Sequence, residues 1–125
     1  MSEAMECLTP MRLVILESPY AGDIARNEHY ARAAMRDCLS RGEAPFASHL
    51  LYTQCLDDND VVARALGIEA GLAWGSMADA TVVYRDLGIT AGMHIGIERA
   101  RLVGRKVEMR DLPGWSPTTV KGRPI

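Results

Sequence analysis

The chain has 125 residues, of which 48% are hydrophobic, and this is the size and apolar content of one domain with one core. Fourteen Lys and Arg against sixteen Asp and Glu leave a formal charge of -2, which argues against nonspecific binding to nucleic-acid polymers. No apolar run reaches the roughly 18 to 20 residues that span a bilayer, and residues 1–9 lack the apolar region of a signal peptide. We therefore expect a cytoplasmic single domain over residues 1–125, with no membrane partner, a core at about 11–110 and an irregular tail over 111–125.

The first half of the chain predicts a strand, a helix and a second strand. Residues 12–16 (RLVIL) form a short run rich in branched residues, as in a buried strand. From Asn27 to Leu39 the apolar side chains recur at helical spacing, and Gly42 stands where a glycine often ends a helix. Residues 44–47 (APFA) predict a further strand, at an edge of the sheet or beginning at Pro45.

The second half repeats this alternation. A charged, turn-prone segment ends at Asp60, which is a suitable N-cap for a helix over residues 61–75. Residues 80–84 (ATVVY) are β-branched and unbroken, as in a buried strand. Thr90 is a suitable N-cap for a third helix, and residues 104–109 give a turn and a last strand. This order of elements predicts an α/β fold with a parallel sheet and helices on both faces.

In such sheets ligands bind beyond the carboxyl ends of the strands. The segments that follow the first three strands, residues 18–27, 48–52 and 85–93, should meet at that edge. They concentrate the following small and polar residues: Ser18, Tyr20, Gly22, Asp23, Asn27, Ser48, His49, Asp86, Gly88, Thr90 and Gly92. Turns favour the same residue types, so the composition alone is a weak signal.

Several kinds of site lack their sequence signature. The chain has no GxxxxGK[ST], GxGxxG or GxSxG motif, so we expect no nucleotide cofactor and no serine-hydrolase elbow. The cysteines and histidines are widely spaced: Cys7, Cys38, Cys55, His29, His49 and His94. That spacing predicts reduced thiols and no metal site.

Five segments, in their order along the chain, resemble the nucleoside 2-deoxyribosyltransferase-like superfamily. They are residues 16–22 (LESPYAG), 48–49 (SH), 78–83 (ADATVV), 88–93 (GITAGM) and 104–107 (GRKV), and the resemblance covers about residues 12–109. That superfamily includes deoxynucleoside monophosphate N-glycosidases and small bacterial and phage domains, and this chain looks closest to the small domains. The resemblance implies a flavodoxin-like or Rossmann-like three-layer sandwich, a parallel sheet of four to five strands, and a pocket for a nucleoside or nucleotide.

The resemblance also implies a catalytic glutamate, four residues after the first glycine of a GTxxE-like helix start. Here the residue four positions after Gly92 is Gly96, so a carboxylate must come from elsewhere in the chain or from a partner subunit. Helical spacing turns His94 and Glu98 away from Gly96. The candidates for the acid or base are, in order of preference, Asp86, Glu69 and Glu17.

The substrate-binding residues that these considerations predict are Ser18, Tyr20, Gly22, Ser48, His49, Asp79, Gly88, Thr90, Gly92 and Met93. Backbone N–H groups at residues 91–93 are expected to hold phosphate. Structural roles compete with these assignments: Tyr20 covering the sheet edge, residues 48–49 forming a turn, and Asp79 capping the turn before the third strand.

Three functions follow from the resemblance and the departure at Gly96. The first is an N-glycosidase or deoxyribosyltransferase that acts on a (deoxy)nucleoside or its monophosphate. The second is a noncatalytic nucleotide sensor or sequestering protein on the same scaffold. The third is an interaction module whose tail, with Trp115, packs on a neighbouring subunit. The resemblance further implies a homo-oligomer, a dimer or larger, with composite sites between subunits.

Overall fold

Strands and helices alternate along the chain as predicted. The structure, a computed structural model, describes residues 10–116. The elements are β1 (Arg12–Glu17), α1 (Ile24–Ser40), β2 (Glu43–Phe46), α2 (Ser48–Leu51), a 3-10 turn (Tyr52–Gln54), α3 (Val61–Gly75), β3 (Ala80–Tyr84), α4 (Ala91–Leu102) and β4 (Lys106–Arg110).

The four strands form one parallel sheet in the order β2-β1-β3-β4. The chain leaves β1 toward β2 on one side and returns to β3 on the other, so the order reverses between β1 and β3. This is the order and the switch point of flavodoxin-like folds. The α/β class and the parallel sheet are therefore confirmed, with four strands. Pro45 lies in β2, an edge strand, where its missing N–H is tolerated.

Successive side chains of each strand face opposite sides of the sheet. Val14 and Leu16 are buried in a core that includes residues of α1. On the opposite face, Val83 packs against Met93 and Ile97 of α4. The two faces are thus covered by different helices, and the second face is the one that carries the cavities described below.

The predicted N-caps are confirmed. Asp60 Oδ1 accepts a hydrogen bond from the N–H of Val62, and Thr90 Oγ1 accepts one from the N–H of Met93. The segment after β2 is more regular than predicted, because α2 and the 3-10 turn occupy it. The Thr53 hydroxyl donates to the His49 carbonyl within this turn.

The tail has no helix or strand as far as residue 116, yet it packs on the core. Leu112 is buried, and the Trp115 ring meets Tyr30 edge-on with centroids 4.8 Å apart. The remainder of the predicted tail, residues 117–125, lies outside the described residues, as do residues 1–9. Cys38 and Cys55 are free thiols. Within residues 10–116, no helix has the length and apolar character needed to cross a membrane.

Candidate functional site

A cavity of about 250 Å³ opens at the carboxyl ends of β1, β2 and β3, beside the switch point. We call it the outer cavity. Its volume is near the lower end of small-molecule sites, roughly 300–1,000 Å³, so it suits one small ligand. Its lining residues are Glu17, Ser18, Tyr20, Ala21, Ser48, His49, Tyr52, Thr53, Leu56, Asp58, Ala63, Arg64, Gly67, Ile68, Thr90, Ala91, Gly92 and Met93.

A second, smaller space of about 50 Å³ adjoins it between the sheet, α3 and α4. We call this the inner cavity. Gly71 and Gly75 of α3 and Gly92 and Gly96 of α4 line it, together with the Arg105 side chain. Gly96 lets α4 approach the end of β1, whereas Gly71 and Gly75 leave room for the side chains of Ser48 and Arg105. Glu17 lines both cavities, so its side chain lies where they meet.

Glu17 is the last residue of β1, and strand alternation places it on the face that α3 and α4 cover. Burial raises the pKa of its carboxyl to about 8, against the opposing effect of the positive charge of Arg105. Among the described residues, no side-chain hydrogen bond or ion pair involves this carboxyl. It can therefore exchange a proton with a ligand near neutral pH, which is the property of a general acid or base.

Ser18 and His49 form a hydrogen-bonded pair in the same cavity. Ser18 Oγ lies 2.7 Å from His49 Nε2, and the serine is 5% exposed. Burial lowers the pKa of His49 to about 4, so the imidazole is neutral at physiological pH. Within residues 10–116 no carboxylate is hydrogen-bonded to the other ring nitrogen of His49. The pair thus lacks the third group of a catalytic triad and is better suited to hold a ligand hydroxyl.

The start of α4 and the Arg64 side chain place positive charge in the wall of the outer cavity. Thr90 Oγ1 accepts a hydrogen bond from the N–H of Met93, whereas the N–H groups of Ala91 and Gly92 have no intrahelical acceptor. The Arg64 guanidinium lies against the same turn: a Cβ built on Gly92 would be 3.4 Å from Arg64 Nη2. Arg64 also pairs with Asp58 at 3.7 Å. A helix N-terminus beside an arginine favours an anionic ligand group.

The structure brings most of the predicted substrate-binding residues to the outer cavity. Those that line it are Ser18, Tyr20, Ser48, His49, Thr90, Gly92 and Met93. Gly22 and Gly88 do not line it; with φ of +101° and +91° they serve the turns after β1 and β3. Asp79 lies before β3, at the opposite edge of the sheet. It exchanges two hydrogen bonds with the backbone of Leu13, so it links the starts of β3 and β1, a structural role different from the predicted cap of the preceding turn.

The two carboxylates preferred as the catalytic acid or base are not brought to either cavity. Asp86 Oδ2 accepts hydrogen bonds from the Tyr30 hydroxyl at 2.6 Å and from the Leu112 N–H at 2.8 Å. It thereby ties the loop after β3 to α1 and to the tail. Glu69 is exposed on α3. Within residues 10–116 the carboxylates that line the outer cavity are Glu17, the third of the predicted candidates, and Asp58.

Four further residues at the two cavities are not among the predicted site residues: Arg64, Asp58, Tyr52 and Arg105. The first three reach the cavity because α2 and the 3-10 turn bring the start of α3 back toward the sheet, and that compact connection has no strong signal in the sequence. Arg105 precedes β4, and its guanidinium donates to Thr81 Oγ1 and to the Gly75 carbonyl under the inner cavity. For Glu17 a signal exists: Leu13, Ile15 and Glu17 alternate onto one face.

Residues 12–110 match the family model described as a domain of unknown function, DUF7768. The matched range begins at the first residue of β1 and ends at the last residue of β4. The whole sheet and every residue that lines the two cavities therefore fall within the family's extent. No curated protein matches the chain. No group of three or more His, Cys, Asp or Glu that could hold a metal ion occurs in the described part of the chain.

Proposed function

The chain belongs to the DUF7768 family, and we propose that this domain binds a nucleoside or nucleotide in the outer cavity and cleaves its N-glycosidic bond. The observation that carries the proposal is the Glu17 carboxyl, half-buried where the two cavities meet and free of side-chain partners among the described residues. In glycosidic cleavage the sugar becomes oxocarbenium-like while the leaving group gains electrons. A protonated carboxyl beside the bond assists that departure.

The proposed step uses Glu17 first as an acid and then as a base. As the bond from the anomeric carbon to the base nitrogen breaks, the carboxyl gives its proton to the departing nitrogen. Water then adds to the anomeric carbon and gives a proton to the Glu17 carboxylate. The products are the free base and the sugar or sugar phosphate, and the enzyme regains its starting state. In the deoxyribosyl-transfer version a second nucleobase takes the place of water.

Other groups of the outer cavity suit the remaining parts of such a ligand. Tyr20 and Tyr52 offer aromatic surfaces on which a nucleobase can stack. Ser18 and His49 offer a hydroxyl and a neutral imidazole to the sugar hydroxyls. A 5′-phosphate would lie at the first turn of α4 near Arg64, the one arginine or lysine among the described residues that line the outer cavity.

The second candidate function is nucleotide binding without catalysis. What favours it is the balance of groups, because the tyrosines, the α4 N-terminus and Arg64 all serve binding, whereas Glu17 alone serves bond cleavage. In this version the raised pKa of Glu17 adjusts ligand affinity with pH.

The test is incubation of the protein with a panel of ribo- and deoxynucleosides and their monophosphates. Chromatography measures the free base, and thermal shift measures binding. Glu17→Gln removes the proton-transfer group, and Glu69→Gln, the same change at an exposed residue of α3, is its matched control. Base release by the wild type and by Glu69→Gln, but not by Glu17→Gln, supports the enzyme. A thermal shift without base release supports the sensor, and neither signal with any compound contradicts both.

The expected homo-oligomer stays a prediction. Exposed apolar side chains on α3, Val61, Val62 and Leu66, support it, since a solvated helix face is usually polar. Light scattering tests it directly.

A further inference from the structure

Gly96 lies in the second turn of α4, buried against the end of β1. A Cβ built at this position would overlap the Glu17 carboxylate, with both Oε2 and Cδ inside van der Waals distance. The atoms in conflict are therefore the reactive end of the Glu17 side chain. They are not backbone, so the conflict falls on the position of the carboxyl.

The other glycines that line the inner cavity have different neighbours. A Cβ on Gly75 would meet the guanidinium of Arg105 at 3.3 Å, and one on Gly71 would meet the Ser48 side chain. A Cβ on Gly92 would meet Arg64 at 3.4 Å. Among these four helix positions, Gly96 is thus the one whose missing side chain makes room for Glu17.

We infer that Gly96 is a positioning residue for Glu17. Because Gly96 has no side chain, α4 leaves a space at the end of β1, and the reacting carboxyl of Glu17 occupies that space. The inference rests on the proposed function for its activity readout only. With a methyl group at position 96, the carboxyl must swing away from α4. The end of a Glu side chain moves at small cost, so the Gly96→Ala chain should fold while its carboxyl is misplaced.

The displaced carboxyl would move toward the open outer cavity, where water solvates it. Because water hydrates the charged carboxylate better there, its titration midpoint should fall from about 8 toward the ordinary glutamate range. The charged and titratable groups that line the two cavities with Glu17 are Tyr20, His49, Tyr52, Asp58, Arg64 and Arg105. None of these is altered by the substitution.

The experiment titrates the Glu17 carboxyl by ¹³C NMR in the wild type, Gly96→Ala and Gly75→Ala, with Glu17→Gln used to assign the signal. Gly75→Ala is the matched control, since it adds the same methyl group to the inner-cavity wall against Arg105 instead of Glu17. We expect the midpoint to fall by at least about one pH unit in Gly96→Ala and to change much less in Gly75→Ala, where Arg105 has to give way only slightly. An unchanged midpoint in a folded Gly96→Ala protein overturns the inference.

Base release gives the second readout. If the proposed function holds, Gly96→Ala should lose about a hundredfold or more in kcat, the range for a misplaced general acid, while Gly75→Ala stays within about threefold of the wild type. Should no substrate be cleaved by the wild type, the proposed function fails but the carboxyl titration still tests the inference.

Folding gives a third readout if Gly96→Ala is too unstable to titrate. The double variant Glu17→Ala/Gly96→Ala removes the carboxyl together with its competitor. If the conflict is with Glu17, the double variant should recover the melting temperature of Glu17→Ala alone. A double variant as unstable as Gly96→Ala would show that another neighbour is responsible and would overturn the inference.

Discussion

Two carboxylates on opposite faces of the sheet, Glu43 and Glu17, have opposite environments. Glu43 begins β2 and accepts hydrogen bonds from Arg110 at 2.8 and 2.7 Å and from Arg12 at 3.2 Å. Hydrogen bonding to Arg110, ahead of the opposing effect of burial, lowers its pKa. Glu17 ends β1 with no side-chain partner among the described residues, and burial raises its pKa to about 8. A carboxylate whose bonding capacity is used holds the fold together, whereas a half-buried one that is unpaired beside a cavity is available for chemistry.

The largest effect on stability is expected on the paired side. Arg110→Met leaves the nearly buried Glu43 with Arg12 as its remaining cation, and removal of one partner of a buried pair costs about 3–5 kcal/mol. Urea unfolding measures this loss, and base release by the folded variant should be unchanged. Arg85→Met, which removes an exposed pair with Asp111, is the control and should cost about 0–1 kcal/mol. A loss below about 1 kcal/mol for Arg110→Met would remove the structural role of the network.

A smaller loss is expected at Asp86, a second carboxylate whose bonding capacity is used. Asp86→Asn weakens the bonds from Tyr30 and Leu112, and we expect the free energy of unfolding to fall by about 1–3 kcal/mol. Base release should stay within about threefold of the wild type once the protein is folded. A loss of a hundredfold or more in base release at unchanged stability would return Asp86 to the catalytic role that the sequence suggests.

The pH dependence of stability should have opposite signs for the two kinds of carboxylate. For Glu17 the folded-state pKa, about 8, exceeds the ordinary 4.5, so its contribution is present below about pH 4.5 and is lost as the pH rises to about 8. As the pH rises through this window, the free energy of unfolding of the wild type should fall relative to that of Glu17→Gln, by at most about 1.4 kcal/mol per pH unit.

On the paired side the sign reverses. Hydrogen bonding from Arg12 lowers the pKa of Glu108 to about 2, so its stabilising contribution is present above about pH 4.5 and is lost as the pH falls to about 2. Denaturant titrations from pH 2 to 9 on the wild type, Glu17→Gln and Glu108→Gln measure both limbs. Parallel curves for Glu17→Gln and the wild type above pH 5 would contradict a raised pKa at Glu17.

The smallest effect concerns ligand preference. Arg64→Gln removes the guanidinium beside the first turn of α4, and we expect affinity for a nucleoside monophosphate to fall about tenfold while affinity for the nucleoside stays the same. Isothermal titration of both ligands measures the ratio. Arg36→Gln, on α1 and outside both cavities, is the control. Equal losses of affinity for the nucleoside and its monophosphate would contradict a role for Arg64 in binding phosphate.

Much of the fold could be predicted because the strands carry simple local patterns. Residues 80–84 are apolar and buried on both faces, and residues 12–16 bury Val14 and Leu16 on one face. Asp60 and Thr90 mark helix starts by their own hydrogen bonds. The compact turn over α2 was not predictable in this way, because residues 48–54 have neither a strong period nor a strong cap.

The site was harder to predict than the fold, since it depends on which residues meet across long separations in the chain. Asp86 precedes Thr90, which lines the outer cavity, by only four positions. Its carboxylate is nevertheless hydrogen-bonded to Tyr30, 56 residues away in the chain. Glu17 and Gly96 lie 79 positions apart, and only the packing of α4 on β1 shows that one occupies the space of the other. Under the superfamily resemblance Gly96 alone predicts a missing carboxylate, whereas our proposal is that the neighbouring strand delivers Glu17 in its place.

The measurement that tests the central claim most directly is the rate of base release across pH 6 to 10 by the wild type and Glu17→Gln, on the best substrate of the panel. The wild-type rate should fall as the pH rises through about 8, because Glu17 loses the proton it gives to the departing base, and Glu17→Gln should be slower by about 10²–10⁴. A Glu17→Gln protein that releases base at the wild-type rate would contradict the account.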